Sequence, residues 1–442
     1  CSLYGENLMF DRKLPECRKC PYFLKVFVPG EGNFEAEVVF VADSPWKSEA
    51  KAHRPLVGPA GQIYNMLLEE VGIDRREVFT TNTVHCMPDA LGAAYPEGVV
   101  ELCTELFLKA ELETINPKLV VPMGNSALKA MGGGVSITKA RGFVKDLEFK
   151  GKTYKILPSF HPSFILRKPA YLDYAVKDFQ AVKYYLDNEQ ERPQNKDLNY
   201  KAVTTIDQVT AFFEKFEKAK YIAYDTETTG LDYRTDDILS MQFSFAPKTG
   251  YCLPMYVLPF AENARKSVID GTLIGRKLHS VFNSKTLLRI YELLHDRDKI
   301  FFFHNGKFDL RMLNAFFLRN IKKAINIDSI RWYDTMAMHG LLDENTWHTL
   351  KEICKIHTDL RYSPEELAMV KGGQMKKVPL DKMTAYGAKD SDGTIRLAFK
   401  FAKELREQDL WNIYSVHEAS DMKMANILYK MEIFGAPIDH KE

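Results

Sequence analysis

The segment Ile222-Ala-Tyr-Asp-Thr-Glu227 constrains the fold most strongly, because it places two acidic side chains in an apolar, β-favouring run. On a strand, residues two apart point to the same side, so Asp225 and Glu227 would share one face. Neighbouring carboxylates raise each other's pKa unless a positive charge lies between them. The pattern therefore predicts a strand that presents a pair of carboxylates to a cation.

Two further acidic residues follow, each in an element of predictable type. Asp309 follows an apolar run at 300–303, which is typical of a buried strand, and lies in a helical pattern. Tyr386 and Asp390 are four residues apart in a predicted helix and share a face. Carboxylate oxygens suit Mg²⁺ or Mn²⁺, and two such ions can activate a water and stabilise the leaving oxygen of a phosphodiester. The acids therefore predict a two-metal phosphodiesterase site.

These segments resemble the DEDD-type 3′–5′ proofreading exonuclease of family A DNA polymerases, of the bacterial DNA polymerase I kind. They match its Asp-x-Glu, Asn-x-x-x-Asp and Tyr-x-x-x-Asp motifs, and the stretch 333–342 followed by Leu350 matches a fourth segment. The resemblance covers 201–406. It implies that one ion is held by three acids, which are Asp225, Glu227 and Asp390.

The same resemblance assigns further roles. Asp225 would share the second ion with Asp309 nearby, and Tyr386 would orient the attacking water. Leu231 stands where the family has an apolar wedge against the terminal bases, and Asn305 where it contacts the strand end. The three strand patterns at 221–225, 238–245 and 251–256 follow one another without helices. They predict an antiparallel meander, as in an RNase H-like fold.

The first 187 residues alternate strand-like and helix-like patterns, which indicates a mostly parallel α/β sheet. The predicted strands are 38–42, 78–82, 118–123 and 154–159, and the predicted helices are 60–71, 97–115 and 171–186.

Four of the seven cysteines have a spacing that suggests a metal site. Cys17 and Cys20 form a C-x₂-C pair, and Cys86 and Cys103 follow with sixteen residues between them. Four thiolates could bind a structural zinc or a [4Fe–4S] cluster. The open second pair fits the usual zinc template poorly.

This first block resembles the family 4 uracil-DNA glycosylases, which carry a [4Fe–4S] cluster. The matching motifs run from Ala42 to Glu49, from Arg54 to Gly61, over Asn82-x-x-x-Cys86 and over His161-Pro-Ser. The four cysteines stand at the family's cluster ligands, which favours iron–sulfur over zinc. The resemblance implies a base-binding pocket, and its residues here are Asp43, Glu49, Leu56, Asn82 and His161.

Departures from that family bear on activity. Leu56 replaces the aromatic ring that stacks on the flipped uracil, Asp43 replaces a glutamate, and Trp46 replaces a glycine. Stacking on an aromatic is worth about 1–3 kcal/mol per base, so leucine weakens the pocket. We expect uracil excision to be reduced or lost and DNA binding to be kept.

The domain organisation predicted is a glycosylase-like domain at 1–187, a polar linker at 188–200, an exonuclease domain at 201–410 and a last block at 411–442, which contains one helix that ends at Gly435-Ala-Pro437. The last segment resembles the entry to a polymerase domain, which the chain would need several hundred more residues to complete. The expected fold class is α/β multidomain, a parallel α/β/α glycosylase-like sheet followed by an RNase H-like fold.

The net charge of +1 does not exclude nucleic acid, because a local basic groove can bind phosphates on a neutral protein. No apolar run reaches the roughly 18 residues of a membrane helix, so no membrane partner is expected. We expect binding to single-stranded 3′ ends and primer–template DNA, a polymerase domain or subunit and replisome proteins as partners, and a location in bacterial or phage-infected host cytoplasm.

Three functional hypotheses follow. The first is a replication protein whose best-supported activity is proofreading by a 3′–5′ exonuclease. The second is a repair protein whose main activity is uracil excision. In the third, the first domain only binds DNA or a replisome partner.

Overall fold

This computed structural model describes residues 12–90, 92–191, 195–256, 268–269, 272–273, 281–369, 375, 377–416 and 420–435. The chain forms two compact units, Cys1–Arg192 and Pro193–Glu442. No helix in these ranges is both long and apolar enough to cross a membrane.

The first unit is built on a six-stranded sheet whose strands are β1 (Glu31–Gly32), β2 (Val38–Ala42), β3 (Phe79–Asn82), β4 (Leu119–Pro122), β5 (Lys145–Phe149) and β6 (Lys152–Ile156). Their order in the sheet is β1-β3-β2-β4-β6-β5. β2, β3, β4 and β6 run parallel, and β1 and β5 pair antiparallel at the two edges. The helices are α1 (Lys47–Ala52), α2 (Pro59–Glu70), α3 (Val99–Cys103), α4 (Lys109–Ile115), α5 (Gly124–Ala130), α6 (Ile137–Ala140), α7 (Pro162–Arg167) and α8 (Leu172–Asn188).

The parallel arrangement expected for this unit is confirmed, and its cause is visible in β2, whose five residues are all buried. A strand covered on both faces needs a continuous apolar run of this kind. The predicted helix 97–115 contains a π-helical turn at Thr104–Leu108 between α3 and α4. The short edge strands β1 and β5 were not predicted, because their alternating polar residues carry a weak pattern.

The second unit contains a six-stranded sheet whose strands are β7 (Asn199–Ala202), β8 (Tyr221–Thr228), β9 (Ile238–Ser244), β10 (Thr249–Pro254), β13 (Ile300–Phe303) and β14 (Trp332–Asp334). Their order in the sheet is β14-β13-β8-β9-β10-β7. A separate pair is formed by β11 (Val268–Ile269) and β12 (Thr272–Leu273). The helices are α9 (Ile206–Lys218), α10 (Ser284–Leu294), α11 (Gly306–Ile321), α12 (Thr335–Leu342), α13 (Leu350–His357), α14 (Pro364–Met369), α15 (Leu380–Glu407) and α16 (Asp421–Phe434).

The predicted meander is confirmed, since β8, β9 and β10 pair antiparallel in sequence order. β13 pairs parallel with β8, and β14 pairs parallel with β13. The sheet is thus an antiparallel meander extended by parallel strands. This arrangement is that of the RNase H-like fold, which was expected.

Helix α15 approaches the sheet closely because small residues face it. A Cβ atom at Gly387 would lie 2.6 Å from the side chain of Gln242 in β9, and one at Gly250 would lie 2.6 Å from Ala388. At Gly250 a side chain would also lie 2.8 Å from the backbone oxygen of Ala388, so glycine is required there. The close approach places Tyr386 and Asp390 above β8 and β9.

The C-terminal segment differs from the single helix expected between Trp411 and Gly435. A π-helical turn at Asn412–Val416 precedes α16, which begins only at Asp421. Ser420 has an extended backbone, and its side chain caps the helix by accepting from the N–H of Lys423. A serine cap of this kind starts a new helix, so the expectation of one continuous helix was wrong. Residues 436–442 lie outside the described residues.

Candidate active sites of the two units

Three acidic side chains from two elements converge in the second unit. Asp225 and Glu227 lie on β8 and Asp390 lies on α15, and one carboxylate oxygen from each is within 4.8 Å of the other two. Asp225 pairs with Gln242 and Glu227 with Ser240 of β9, which fixes both on the same face of the strand. The sequence prediction that these three acids meet agrees with this geometry.

The three carboxylates are arranged at an electrostatic cost. Burial, and then the neighbouring Asp390, Asp309 and Glu227, raise the pKa of Asp225 well above its ordinary value. Burial and Asp390 raise the pKa of Glu227 to about 8. Asp390 Oδ1 is buried and makes no hydrogen bond with any residue that the structure describes. Carboxylates crowded in this way are the donor set that binds a hard divalent cation, so the residues fit such an ion.

Asp309 lies near these acids but is held differently. It is buried in the first turn of α11 and accepts a hydrogen bond of 2.6 Å from the hydroxyl of Thr226 on β8. It is not a member of the group whose oxygens lie within 4.8 Å of one another. Burial raises the pKa of Asp309 to about 7, and the bond from Thr226 opposes that rise. Thr226 therefore fixes the orientation of this carboxylate.

Tyr386 lies on the same helix as Asp390, and Leu231 follows the strand that carries Asp225 and Glu227. Tyr386 is buried one helical turn before Asp390 on α15. Burial, and then Asp390, raise the pKa of Tyr386 above its ordinary value, so the phenol keeps its proton. Leu231 follows β8 and is 83% exposed. Its side chain is therefore available for an apolar contact.

Asn305 is the N-cap residue of α11 and has a left-handed backbone conformation with φ 61°. Its backbone N–H and that of Gly306 donate to the carboxylate of Asp334, at 3.0 and 2.9 Å. Asn305 is therefore positioned by a residue that the motifs did not single out for a role.

Three side chains were missed by sequence reasoning, namely Thr226, Asp334 and Lys351. Thr226 and Asp334 lie within the motif segments. Their hydrogen-bond partners, Asp309 and Asn305, are 83 and 29 residues away in the sequence. Lys351 donates to Asp390 from α13. The only signal for Lys351 was its place directly after Leu350.

In the first unit, the pocket residues predicted from the sequence lie along the carboxyl edge of the sheet. Asn82 ends β3 and pairs in register with Ala42 of β2, and His161 follows β6 as the N-cap of α7. Ligand sites of open α/β sheets lie at this edge. Asn82 Nδ2 and His161 Nε2 are both buried without a hydrogen-bond partner among the described residues. Buried polar groups without partners are rare in proteins, and a bound water, ion or ligand usually satisfies them.

The imidazole of His161 has a defined protonation state. Its Nδ1 accepts from the backbone N–H of Ser163 at 3.0 Å, so the single proton of the neutral ring is on Nε2. Burial, and then Arg167, lower the pKa of His161 to about 4. His161 is therefore a neutral donor at physiological pH.

Glu49 and Asp43 are engaged by other groups in the protein. Glu49 Oε1 accepts from the N–H groups of Val57 and Gly58 at 3.2 and 2.8 Å, which secures the loop between α1 and α2. Asp43 accepts from the hydroxyl of Tyr95 at 2.9 Å, and burial raises its pKa.

Leu56 is buried and has φ 48°, a conformation that costs a leucine energy. The guanidinium of Arg75 donates to its carbonyl oxygen at 2.8 Å. A Cβ at Gly61 would lie 2.0 Å from the same oxygen, so Gly61 is required there. The backbone of Leu56 is therefore held in place by its surroundings.

The four predicted cluster cysteines are free thiols that influence one another. The pKa of Cys86 is raised to about 12, first by burial and also by Cys103, Cys20 and Cys17, while Lys13 lowers it. The backbone N–H of His85 donates to Cys103 Sγ at 3.2 Å, and that of Tyr22 to Cys20 Sγ at 3.4 Å. Among the described residues, no three of these sulfurs lie within 4.8 Å of one another.

Comparison with known proteins assigns both units. Residues 29–183 match the uracil DNA glycosylase superfamily, and residues 200–406 match a 3′–5′ exonuclease family. A type-4 uracil-DNA glycosylase of Thermotoga maritima is 36% identical over 192 residues, which are 42% of this chain and 97% of that protein. The chain belongs to the uracil DNA glycosylase superfamily. Its second unit adds a 3′–5′ exonuclease domain, so the fusion expected from the sequence is confirmed.

Two polymerases are similar over longer stretches. A DNA polymerase of Bacillus phage SP01 is 26% identical over 426 residues, which are 87% of this chain and 42% of that protein. A DNA polymerase I of Borreliella burgdorferi is 26% identical over 247 residues, 55% of this chain and 24% of that protein. The chain thus spans less than half the length of the polymerases it matches, and the phage protein is similar to both units.

Proposed function

We propose that the second unit hydrolyses the 3′-terminal nucleotide of DNA with divalent metal ions, releasing a nucleoside monophosphate. The observation that carries this proposal is the convergence of Asp225, Glu227 and Asp390 within 4.8 Å, beside the buried Asp309. The similarity to polymerases supports a proofreading role.

The bound Mg²⁺ or Mn²⁺ ions would supply an activated water and stabilise the leaving oxygen. Asp225, Glu227 and Asp390 would hold them, with Asp309 completing the set near Asp225. The phenol of Tyr386, which keeps its proton, would orient the water by hydrogen bonding. Leu231 would pack against the terminal base, and Asn305 would contact the end of the strand.

The decisive experiment uses a 5′-labelled single strand and the intact chain. With Mg²⁺, the wild-type protein should shorten the strand from its 3′ end, and EDTA should stop the reaction. The Asp225→Ala variant should be inactive while still binding the strand, because phosphate contacts come mostly from Lys and Arg.

We further propose that the first unit holds a [4Fe–4S] cluster on Cys17, Cys20, Cys86 and Cys103. Zinc ligated by sulfurs at about 2.3 Å brings those sulfurs within about 4 Å of one another. Among the described residues no three of the four sulfurs lie within 4.8 Å of one another, so they are not arranged as a tetrahedral zinc site here. The backbone N–H donors to Cys103 and Cys20 would stabilise thiolates there.

For the pocket of the first unit, we propose that it binds DNA with weak or absent uracil excision. Asn82 Nδ2 and His161 Nε2 provide two buried donors that could contact the edge and a carbonyl oxygen of a flipped base. His161 could also stabilise negative charge on a departing base. Leu56 offers no ring for stacking, so the base would be held less tightly. A module that only binds DNA or a replisome partner is the alternative.

Similarity to the phage polymerase also suggests partners and location. We propose that the protein works with a polymerase domain or subunit and other replisome proteins on primer–template DNA. This work would take place in bacterial or phage-infected host cytoplasm.

A further inference from the structure

Lys351 brings a positive charge into the acidic group of the second unit. It lies at the start of α13, and its ammonium donates to Asp390 Oδ2. The same ammonium lies 4.9 Å from the ring centroid of Tyr386 and 5.4 Å from that of Tyr362. The Lys351 side chain is 25% exposed and Asp390 is 3% exposed, so solvent screens this pair only in part.

The contact divides the two oxygens of Asp390. Oδ2 is occupied by Lys351, whereas Oδ1 makes no hydrogen bond with any described residue. An ion bound by Asp225, Glu227 and Asp390 would add two positive charges close to this ammonium. At separations of about 4 Å such charges repel strongly, even at the effective dielectric of a protein surface. The ion and the Lys351 ammonium therefore oppose each other electrostatically, and each should bind Asp390 more weakly when the other is present.

We propose that Lys351 is a positioning residue that makes metal binding depend on substrate, holding Asp390 in the free enzyme and releasing it to the metal ion when a nucleotide phosphate draws the ammonium away. This inference rests on the exonuclease function proposed above. Lysine is suited to the role, because it is a flexible point charge that binds phosphate. The rings of Tyr386 and Tyr362 offer a cation–π surface along which the ammonium can move.

The proposal has a thermodynamic consequence. If phosphate and metal each favour the state in which Lys351 has left Asp390, each must raise the affinity for the other by the same factor. Removal of the ammonium should remove this part of the coupling. If the Lys351–Asp390 ion pair only stabilised the fold, removing the ammonium would have the opposite effect on metal affinity. Asp390 would then be less well ordered, and the metal ion would bind more weakly.

The test measures Mn²⁺ binding to the full chain by isothermal titration calorimetry, with and without thymidine 5′-monophosphate, a product that cannot be hydrolysed further. Lys351→Met should bind Mn²⁺ about tenfold more tightly than the wild type without nucleotide, because the competing charge is gone. The nucleotide should tighten Mn²⁺ binding more in the wild type than in this variant. Lys351→Arg, which keeps the charge, should retain weak binding without nucleotide.

Lys400→Met is the matched control. Lys400 lies on α15 like Asp390 but about 15 Å further along the helix, and it is 42% exposed and pairs with Glu404. This variant loses the same charge and should bind Mn²⁺ as the wild type does.

Unchanged or weaker Mn²⁺ binding by Lys351→Met would overturn the inference, as would equal tightening in Lys351→Arg. In both cases the wild type would still bind Mn²⁺ and degrade a single strand, so the exonuclease proposal would stand. A wild-type protein that neither binds Mn²⁺ nor degrades DNA would instead overturn the proposed function and this inference together.

Discussion

The carboxylate of Asp334 accepts a hydrogen bond of 3.0 Å from the backbone N–H of Asn305. Asp334 is the last residue of β14, and Asn305 directly precedes α11. The Asp334 carboxylate also accepts from the N–H groups of Gly306 and Met336, both at 2.9 Å. One buried carboxylate thus satisfies donors from two helix starts. The left-handed turn at Asn305 and the first turn of α11, which carries Asp309, both depend on it.

Asp334→Ala should destabilise the second unit by roughly 3 kcal/mol, because each buried N–H left without an acceptor costs about 1–3 kcal/mol. The measurement is urea unfolding of the intact chain followed by tryptophan fluorescence, since Trp332, Trp347 and Trp411 all lie in this unit. Asp328→Ala is the control. It removes an exposed carboxylate paired with Lys430 and should cost about 0–1 kcal/mol. Equal effects of the two variants would contradict the role assigned to Asp334.

The sequence predicted those parts of this site that local periodicity determines. The period of two in a strand places Asp225 and Glu227 on one face of β8. The helical period places Tyr386 and Asp390 on one face of α15. Asp334 and Lys351 act on residues 29 and 39 positions away, and the fold alone decides those contacts. The break before α16 was missed because no proline or glycine marks it in the sequence, and the signal that does exist is a single serine, Ser420, whose capping role depends on backbone conformation.

Cys86→Ser should remove iron from the protein and destabilise the first unit. A cluster that ties Cys20 to Cys86 closes a loop of more than sixty residues and so lowers the entropy of the unfolded chain. Without the cluster the unfolded chain regains that entropy, and the folded unit is less stable. Iron and acid-labile sulfide should fall to background in anaerobically purified variant, while exonuclease activity stays near the wild-type rate. Cys252→Ser, which changes a buried thiol of β10, should keep its iron. Stoichiometric zinc without iron in the wild type would reject the cluster.

Leu56→Phe should raise uracil excision, because an aromatic ring can stack on the flipped base and contribute about 1–3 kcal/mol. The assay is alkali cleavage of a uracil-containing duplex, in an Asp225→Ala background that removes degradation from the 3′ end. Trp46→Gly, alone and combined, tests whether bulk at that position narrows the pocket. Rapid excision by the unaltered Leu56 protein would show that the missing ring matters less than we infer.

His161 should remain neutral well below physiological pH, since burial lowers its pKa to about 4 from an ordinary 6.5. As the pH falls below 6.5, the unfolded chain binds a proton at this imidazole and the folded chain does not. The free energy of unfolding of the first unit should therefore decrease between pH 6.5 and about 4. Histidine-labelled NMR spectra, assigned with His161→Gln, measure the pKa directly. A midpoint near 6.5 would show that the ring is not held as a neutral donor.

The most direct measurement is the fate of a 5′-labelled single strand with Mg²⁺, incubated with the wild type and with Asp225→Ala. Because Asp390, Asp309 and Glu227 all act electrostatically on Asp225, its loss should slow 3′–5′ degradation by about 10³-fold or more, and strand binding should survive. Loss of degradation in the variant and in wild type treated with EDTA is the result the metal-dependent exonuclease predicts. Undiminished shortening of the strand by Asp225→Ala would contradict it.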